Sequence, residues 1–178
     1  MKNTLISRRA NLAVSLLVTA VFGLALAKDA PAQNSVGGHI GIAFPLVTHA
    51  DGKTTNIGDN FTTAFPMGVT IKRDGSKLAF DFEFVPAIQD RPRKVNLTIH
   101  PGLIWDLGHN FAGGVRAAFD VNQTSWGFTP LLAHSWAISG HKNNKVFIEF
   151  DLPVRFARPS PGNNIASVTF AIHLGTAF

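Results

Sequence analysis

The chain contains no cysteine, no tyrosine and only two methionines. Without cysteine there is no disulfide framework, no thiolate zinc site, no cysteine nucleophile and no thiol for a lipid anchor. Charge is sparse as well, with Asp, Glu, Lys and Arg making up 15% of residues. Lys2, Arg8 and Arg9 lie at the front, so the chain from residue 28 onward carries thirteen Lys and Arg against eleven Asp and Glu. The apparent basicity therefore belongs largely to the front end. No Lys/Arg cluster remains to supply a nucleic-acid footprint, and nucleic acid is not an expected partner. Helical patterning is missing too: beyond the front segment, no 3.6-residue apolar period runs long enough to mark a helix.

Residues 1–27 read as a secretory signal, with Lys2, Arg8 and Arg9 as its positive region and Leu12 to Leu26 as its apolar stretch. About fifteen apolar residues fall short of the roughly twenty that a spanning helix needs, which favours a cleaved leader over an anchor. Small residues allow cleavage after Ala27 or, alternatively, after Ala32. The remainder, 28–178, is long enough for one domain.

That domain alternates with period two from residue 39 to the end, which predicts strands, because successive side chains on a strand point to opposite faces. Leu78, Phe80, Phe82 and Phe84 oppose Ala79, Asp81, Glu83 and Val85; Val146, Ile148, Phe150 and Leu152 oppose Glu149 and Asp151. Eight strands are expected, at 37–48, 61–72, 76–86, 95–107, 111–121, 126–138, 146–156 and 166–178. Connections at 73–75, 108–110 and 139–145 read as turns. Those at 48–60, 87–94, 122–125 and 157–165 read as loops, most of them longer. Asp74–Gly75 is a strong hairpin signal.

The apolar faces run to about eleven residues, the length that crosses a bilayer when tilted. Acids and bases gather on the other parity. Lys72, Asp81, Glu83, His100, Arg116, Glu149, Asp151, Arg155 and His173 are expected to form a polar network inside a closed barrel. His39 could join His100 and His173 there, and Ala43, Val47, Ala64, Gly68, Leu131 and Ala133 would make the interior near the strand prolines small and apolar. Trp105 and Trp136 at one end, and Trp126 at the other, suit interfacial girdles. His134 has the parity of a lipid-facing residue, an anomaly. Pro45, Pro66, Pro86, Pro101, Pro130 and Pro153 each remove a ladder donor. The seven histidines are scattered without short-range ligand spacing, so no metal, cofactor or catalytic set is assigned.

The even strand count, the turn and loop asymmetry, and Phe178 behind Val168, Phe170, Ile172 and Leu174 resemble the small eight-stranded outer-membrane β-barrel proteins. The resemblance covers nearly all of 28–178 and implies an all-β, eight-stranded, antiparallel up-and-down transmembrane β-barrel. It also implies a location in the outer membrane of a Gram-negative cell and a final strand (Val168, Phe170, Ile172, Leu174, Phe178) that the barrel-assembly machinery reads. Outer-membrane lipid and lipopolysaccharide are the implied surroundings, and the expected role is structural or one of surface interaction. Three alternatives stay open. One is a lipid-modifying enzyme or hydrophobic-ligand barrel with lateral access through proline-flanked strands. The others are a narrow porin-like channel and a soluble periplasmic lipocalin-like barrel with its phenylalanines turned inward. Oligomeric state is not readable from the sequence.

Overall fold

The computed structural model describes residues 34–121, 123–140, 143–160 and 163–178. The expected leader at 1–27 and both of its cleavage positions lie outside the described residues. Every regular element described is a strand: β1 (Asn34–Ala50), β2 (Lys53–Asn56), β3 (Thr62–Ala64), β4 (Met67–Arg73), β5 (Leu78–Gln89), β6 (Lys94–Gly108), β7 (Phe111–Asp120), β8 (Ser125–Ala137), β9 (Lys145–Asp151), β10 (Val154–Ser160) and β11 (Asn163–Ala177).

These segments close an antiparallel ring of eight strands. β3 and β4 together form the second strand and β9 and β10 the seventh, while β2 is the return arm of a hairpin on β1. The ring is sealed where β11 pairs β1 from His39 opposite Ala177 to Ala50 opposite Ser167. At the seam, the Gly38 N–H donates to the Phe178 carbonyl at 2.8 Å and the Phe178 N–H donates back at 2.9 Å. Closure leaves the ring itself no open edge, the condition a sheet must meet in a medium that cannot hydrogen-bond its backbone, and only the short β2 arm beyond it has an unpaired side.

The sidedness is the reverse of a soluble domain. Outward positions carry Leu78, Phe84, Leu103, Leu132, Phe150 and Phe170, each 39–45% exposed, whereas the buried apolar residues are Ala43, Ala64, Ala79, Ala118, Leu131 and Ala171. Large hydrophobic residues normally fill an interior; here the interior takes small ones because charged side chains occupy it. Phe80, Phe82 and Phe84 alternate outward with Asp81 and Glu83 inward, so the lipocalin-like arrangement is not the one adopted. At about 3.3 Å per residue and a tilt near 40°, the twelve residues of β5 reach roughly 30 Å, enough for an apolar band about 25 Å tall.

Several expected boundaries are corrected. The expected strand 61–72 is interrupted at Phe65–Pro66 and 146–156 at Leu152–Pro153, where proline lacks the N–H to continue the ladder. The carbonyl side survives: Pro66, Pro86, Pro130 and Pro153 accept from the N–H groups of Gly41, Phe65, Leu152 and Thr169 at 2.9–3.0 Å. The expected loop 48–60 begins instead as an extension of the sheet. β1 continues to Ala50, turns at Asp51–Gly52 (φ 50° and 69°) and returns as β2. Both turn residues have positive φ, as a two-residue hairpin requires. Val47 was expected inside, but a bulge at Leu46, between Pro45 and Val47, shifts the parity and turns Val47 outward at 43% exposure.

Candidate functional site: the charged lumen

The inward positions of β1, β5, β6, β7, β9 and β11 converge on one cluster. Arg116, from β7, is its hub. Its Nε donates to Asp81 Oδ2 at 2.7 Å, its Nη1 to Glu149 Oε1 at 2.6 Å and its Nη2 to Glu149 Oε2 at 3.3 Å. Nη2 also lies 3.4 Å from Glu83 Oε1. Arg116 is 5% exposed and the three acids 1–4%, so all four charges have left water. Such ions are tolerable only when paired and hydrogen-bonded on their remaining sites.

The remaining sites are met by histidines and a threonine. His39 Nε2 donates to Glu83 Oε1 at 2.9 Å, His173 Nδ1 to Glu149 Oε1 at 3.2 Å, and Thr70 Oγ1 to Asp81 Oδ1 at 2.6 Å. His100 Nδ1 donates to Glu83 Oε2 at 3.4 Å, and its Nε2 accepts from Arg155 Nη2 at 2.9 Å. Because arginine only donates, this pairing selects the His100 tautomer with hydrogen on Nδ1. Arg155 also donates to Thr129 Oγ1 at 3.1 Å. A continuous chain of hydrogen bonds, bridged by the Glu83–Arg116 ion pair, thus runs Arg155–His100–Glu83–Arg116–Glu149–His173.

Glycine on a neighbouring strand makes room for the bulkiest members. A Cβ at Gly41 would collide with His173 Nε2, and one at Gly102 would lie 2.6 Å from Arg116 Cγ. Strand glycines of this kind mark close approach across the ladder.

The expected network residues fall in two groups. Asp81, Glu83, His100, Arg116, Glu149 and His173 are brought together, with Arg155 joined through His100. Asp151 is buried on the same face, with one oxygen unpartnered among the described residues. Lys72 keeps the inward parity but lies apart from the cluster. It sits beyond the cluster towards the turns, 3.3 Å from Asp106 in a pair whose side chains are 36% and 51% exposed, because β4 ends one residue later and leaves it at the mouth. Thr70 and the glycines were not anticipated, since only the strand register reveals which inward neighbours they meet.

Two sets of donor atoms, His39–Asp81–Glu83 and Glu83–Glu149–His173, lie within 4.8 Å of one another and could in principle hold a metal ion. The Arg116 guanidinium already ion-pairs with all three acids of these sets. The protein supplies its own cation at that point. On the loop side of the cluster is a cavity of about 400 Å³, lined among others by Ala43, Ala64, Pro66, Thr129, Asp151 and Arg155. On the turn side is one of about 180 Å³, and Arg116 lines both.

Outside, Trp126 lies at the loop end and Trp105 and Trp136 towards the turns, exposed at 56%, 41% and 50%. His134 faces outward between Phe111 and Trp136, with ring centroids 4.4 Å from each. Two aromatic neighbours at the turn end give that histidine an amphipathic, girdle-like setting.

A sealed antiparallel ring of eight strands, apolar outside and ion-paired within, defines a transmembrane β-barrel. The chain is similar in fold to small outer-membrane barrels. The structure of Ail, the attachment invasion locus protein of Yersinia pestis, in complex with the heparin analogue sucrose octasulfate shares 10% identity over 80% of this chain and 97% of that one, at a TM-score of 0.44. The outer-membrane protein AlkL in DMPC bilayers shares 13% identity over 85% and 93%, at 0.46. The outer-membrane protein OprG of Pseudomonas aeruginosa shares 11% over 82% and 95%, at 0.41. No protein-family model matches the chain, and no curated protein sequence matches it.

Proposed function

We infer that the chain is an integral β-barrel of a Gram-negative outer membrane, exported by a cleavable leader, with a structural or surface-interaction role rather than that of an open pore. The observation that carries this reading is the lumen cluster, in which Arg116 is bound to Asp81, Glu83 and Glu149. An eight-stranded barrel is only wide enough for side chains, and tightly paired ones at its centre narrow any path for water or ions. Outer-membrane lipid and lipopolysaccharide would surround the barrel, and the barrel-assembly machinery would act on β11, whose Val168, Phe170, Ile172 and Leu174 project outward beside the seam that Phe178 completes. The test is conductance of the purified, refolded protein in planar bilayers. Silence is expected at potentials where porins conduct steadily, and reproducible unitary currents would favour the narrow channel instead.

A second reading rests on the seam between β1 and β3. Among the described residues these strands share the single pair Ala43–Ala64, flanked by the bulge at Leu46 and the break at Phe65–Pro66. Ala43, Ala64, Pro45 and Pro66 line the seam side of the cavity behind it, whose far wall carries Asp151 and Arg155. This supports lateral entry of an apolar molecule, or lipid-modifying chemistry there. An acyl-transfer or release assay with labelled lipid, together with uptake of an apolar dye into proteoliposomes, separates the readings. Absence of all these activities removes the second.

A further inference from the structure

At the loop end, three neighbouring strands stack their outward residues in rows of changing character. β10 pairs with β8 on one side and β11 on the other. Phe128, Val154 and Val168 form one outward row, and Trp126, Phe156 and Ala166 form the next. In the row above, the Arg158 N–H donates to the Thr124 carbonyl at 2.9 Å and Arg158 Nε donates to Asn164 Oδ1 at 2.9 Å. Two residues along a strand advance about 6.6 Å, so the wall passes from wholly apolar rows to a cationic one within about 13 Å.

The middle row is uneven. The Trp126 and Phe156 rings lie 4.9 Å apart, while Ala166 beside them is a single methyl. Beside that step is a hollow of about 460 Å³, lined on the outward parity by Trp126, Phe156, Ala166 and Arg158 and on the other by Ala157 and Ile165. No acidic residue lines it, and among the described residues neither Nη of Arg158 makes a hydrogen bond or ion pair. A planar guanidinium whose two Nη groups have no partner among the described residues matches a phosphate bidentately. Its position one row beyond the aromatic pair is that of a headgroup.

We propose that this hollow docks the phosphorylated glycolipid of the outer leaflet, with one phosphate on the Arg158 guanidinium beside Thr124 and Asn164, and one acyl chain lying past Phe156 over Ala166. This deepens the outer-membrane reading above and rests on it. The order of the rows fits a lipid better than a soluble anion, which has no use for the apolar step below the charge. Arg158 is an exposed side chain at the strand end, so its replacement leaves the closed ring and its buried cluster in place.

The experiment uses the full barrel in detergent micelles and native mass spectrometry with three probes: bisphosphorylated lipid A, its dephosphorylated counterpart and phosphatidylglycerol. The wild type should retain bisphosphorylated lipid A about tenfold better than its dephosphorylated counterpart, the scale of one charged hydrogen-bond set, and better than phosphatidylglycerol. Arg158→Gln should lose that preference, and Ala166→Phe, which fills the hollow and keeps the charge, should weaken retention of every lipid. Equal retention by wild type and Arg158→Gln would overturn the proposal, as would equal retention of lipid A with and without phosphate. Phosphatidylglycerol held as tightly as lipid A would overturn the choice of glycolipid. Insertion into bilayers is scored in parallel by heat-modifiable gel migration. A barrel that inserts yet shows no phosphate preference overturns this site alone, whereas one that does not insert overturns the membrane reading together with it.

Discussion

Arg116 binds three carboxylates drawn from two other strands, with Asp81 and Glu83 on β5 and Glu149 on β9. Taking those four charges out of water costs several kcal/mol per ion, and only their mutual attraction and completed hydrogen bonds offset it. Replacing the hub is therefore far worse than replacing a surface arginine. Arg116→Met should cost about 3–5 kcal/mol, because uncompensated acids remain buried. Guanidinium unfolding of the detergent-solubilised barrel, followed by gel migration, measures the loss, and Arg158→Gln serves as the near-neutral control. Alternation alone indicated that these side chains share an interior. It could not indicate their partners: β7 and β9 are not neighbours in the ring but flank β8, so the Arg116–Glu149 contact depends on barrel curvature and register rather than on any spacing along the chain. Val47 shows the converse failure. One bulged residue after a proline inverts every parity inferred across it.

Among the strands, prolines cut donors and not acceptors, which explains how six of them fit into a sealed sheet. Pro66 and Pro153 sit at breaks, and their carbonyls still hold the adjoining strand. Asp51–Gly52 has the same dipeptide signature as Asp74–Gly75, yet its flanks (Thr48, His49, Lys53, Thr54) are polar. A strand rising clear of the apolar band no longer advertises itself by hydrophobic alternation, so the β1–β2 hairpin was not legible as sheet. The outward face of β5 makes the converse prediction. Phe84→Lys places a cation in the apolar band and should destabilise the barrel by about 2–4 kcal/mol if that position lies near the midplane. Ala87→Lys, on the inward parity nearer the loop end, should cost less, and the same unfolding assay compares the two. The seam makes a second prediction. Phe178→Ala should lower the yield of folded, membrane-inserted protein in cells while leaving the amount exported unchanged, as read by fractionation and heat-modifiable migration. Undiminished insertion would remove the role assigned to β11 in assembly.

The whole molecule follows from one inversion, in which apolar side chains form the exterior and ionised ones the fill. The large residues exposed on the outer wall would be an aggregation liability in water, whereas hydrocarbon makes them neutral neighbours and leaves the closed ladder as the only way to satisfy the backbone. The absence of cysteine now becomes useful, because single cysteines can be placed anywhere without a background thiol. The most direct measurement is a cysteine scan through β5, Leu78–Gln89, with each site spin-labelled in reconstituted bilayers and its collision rates with oxygen and with a water-soluble nickel chelate recorded. Labels at 80, 82 and 84 should be reached by oxygen from the lipid and shielded from the chelate. Those at 79, 81 and 83 should be shielded from both, giving a period of two. The opposite phase, or chelate access at 80, 82 and 84, would contradict the account.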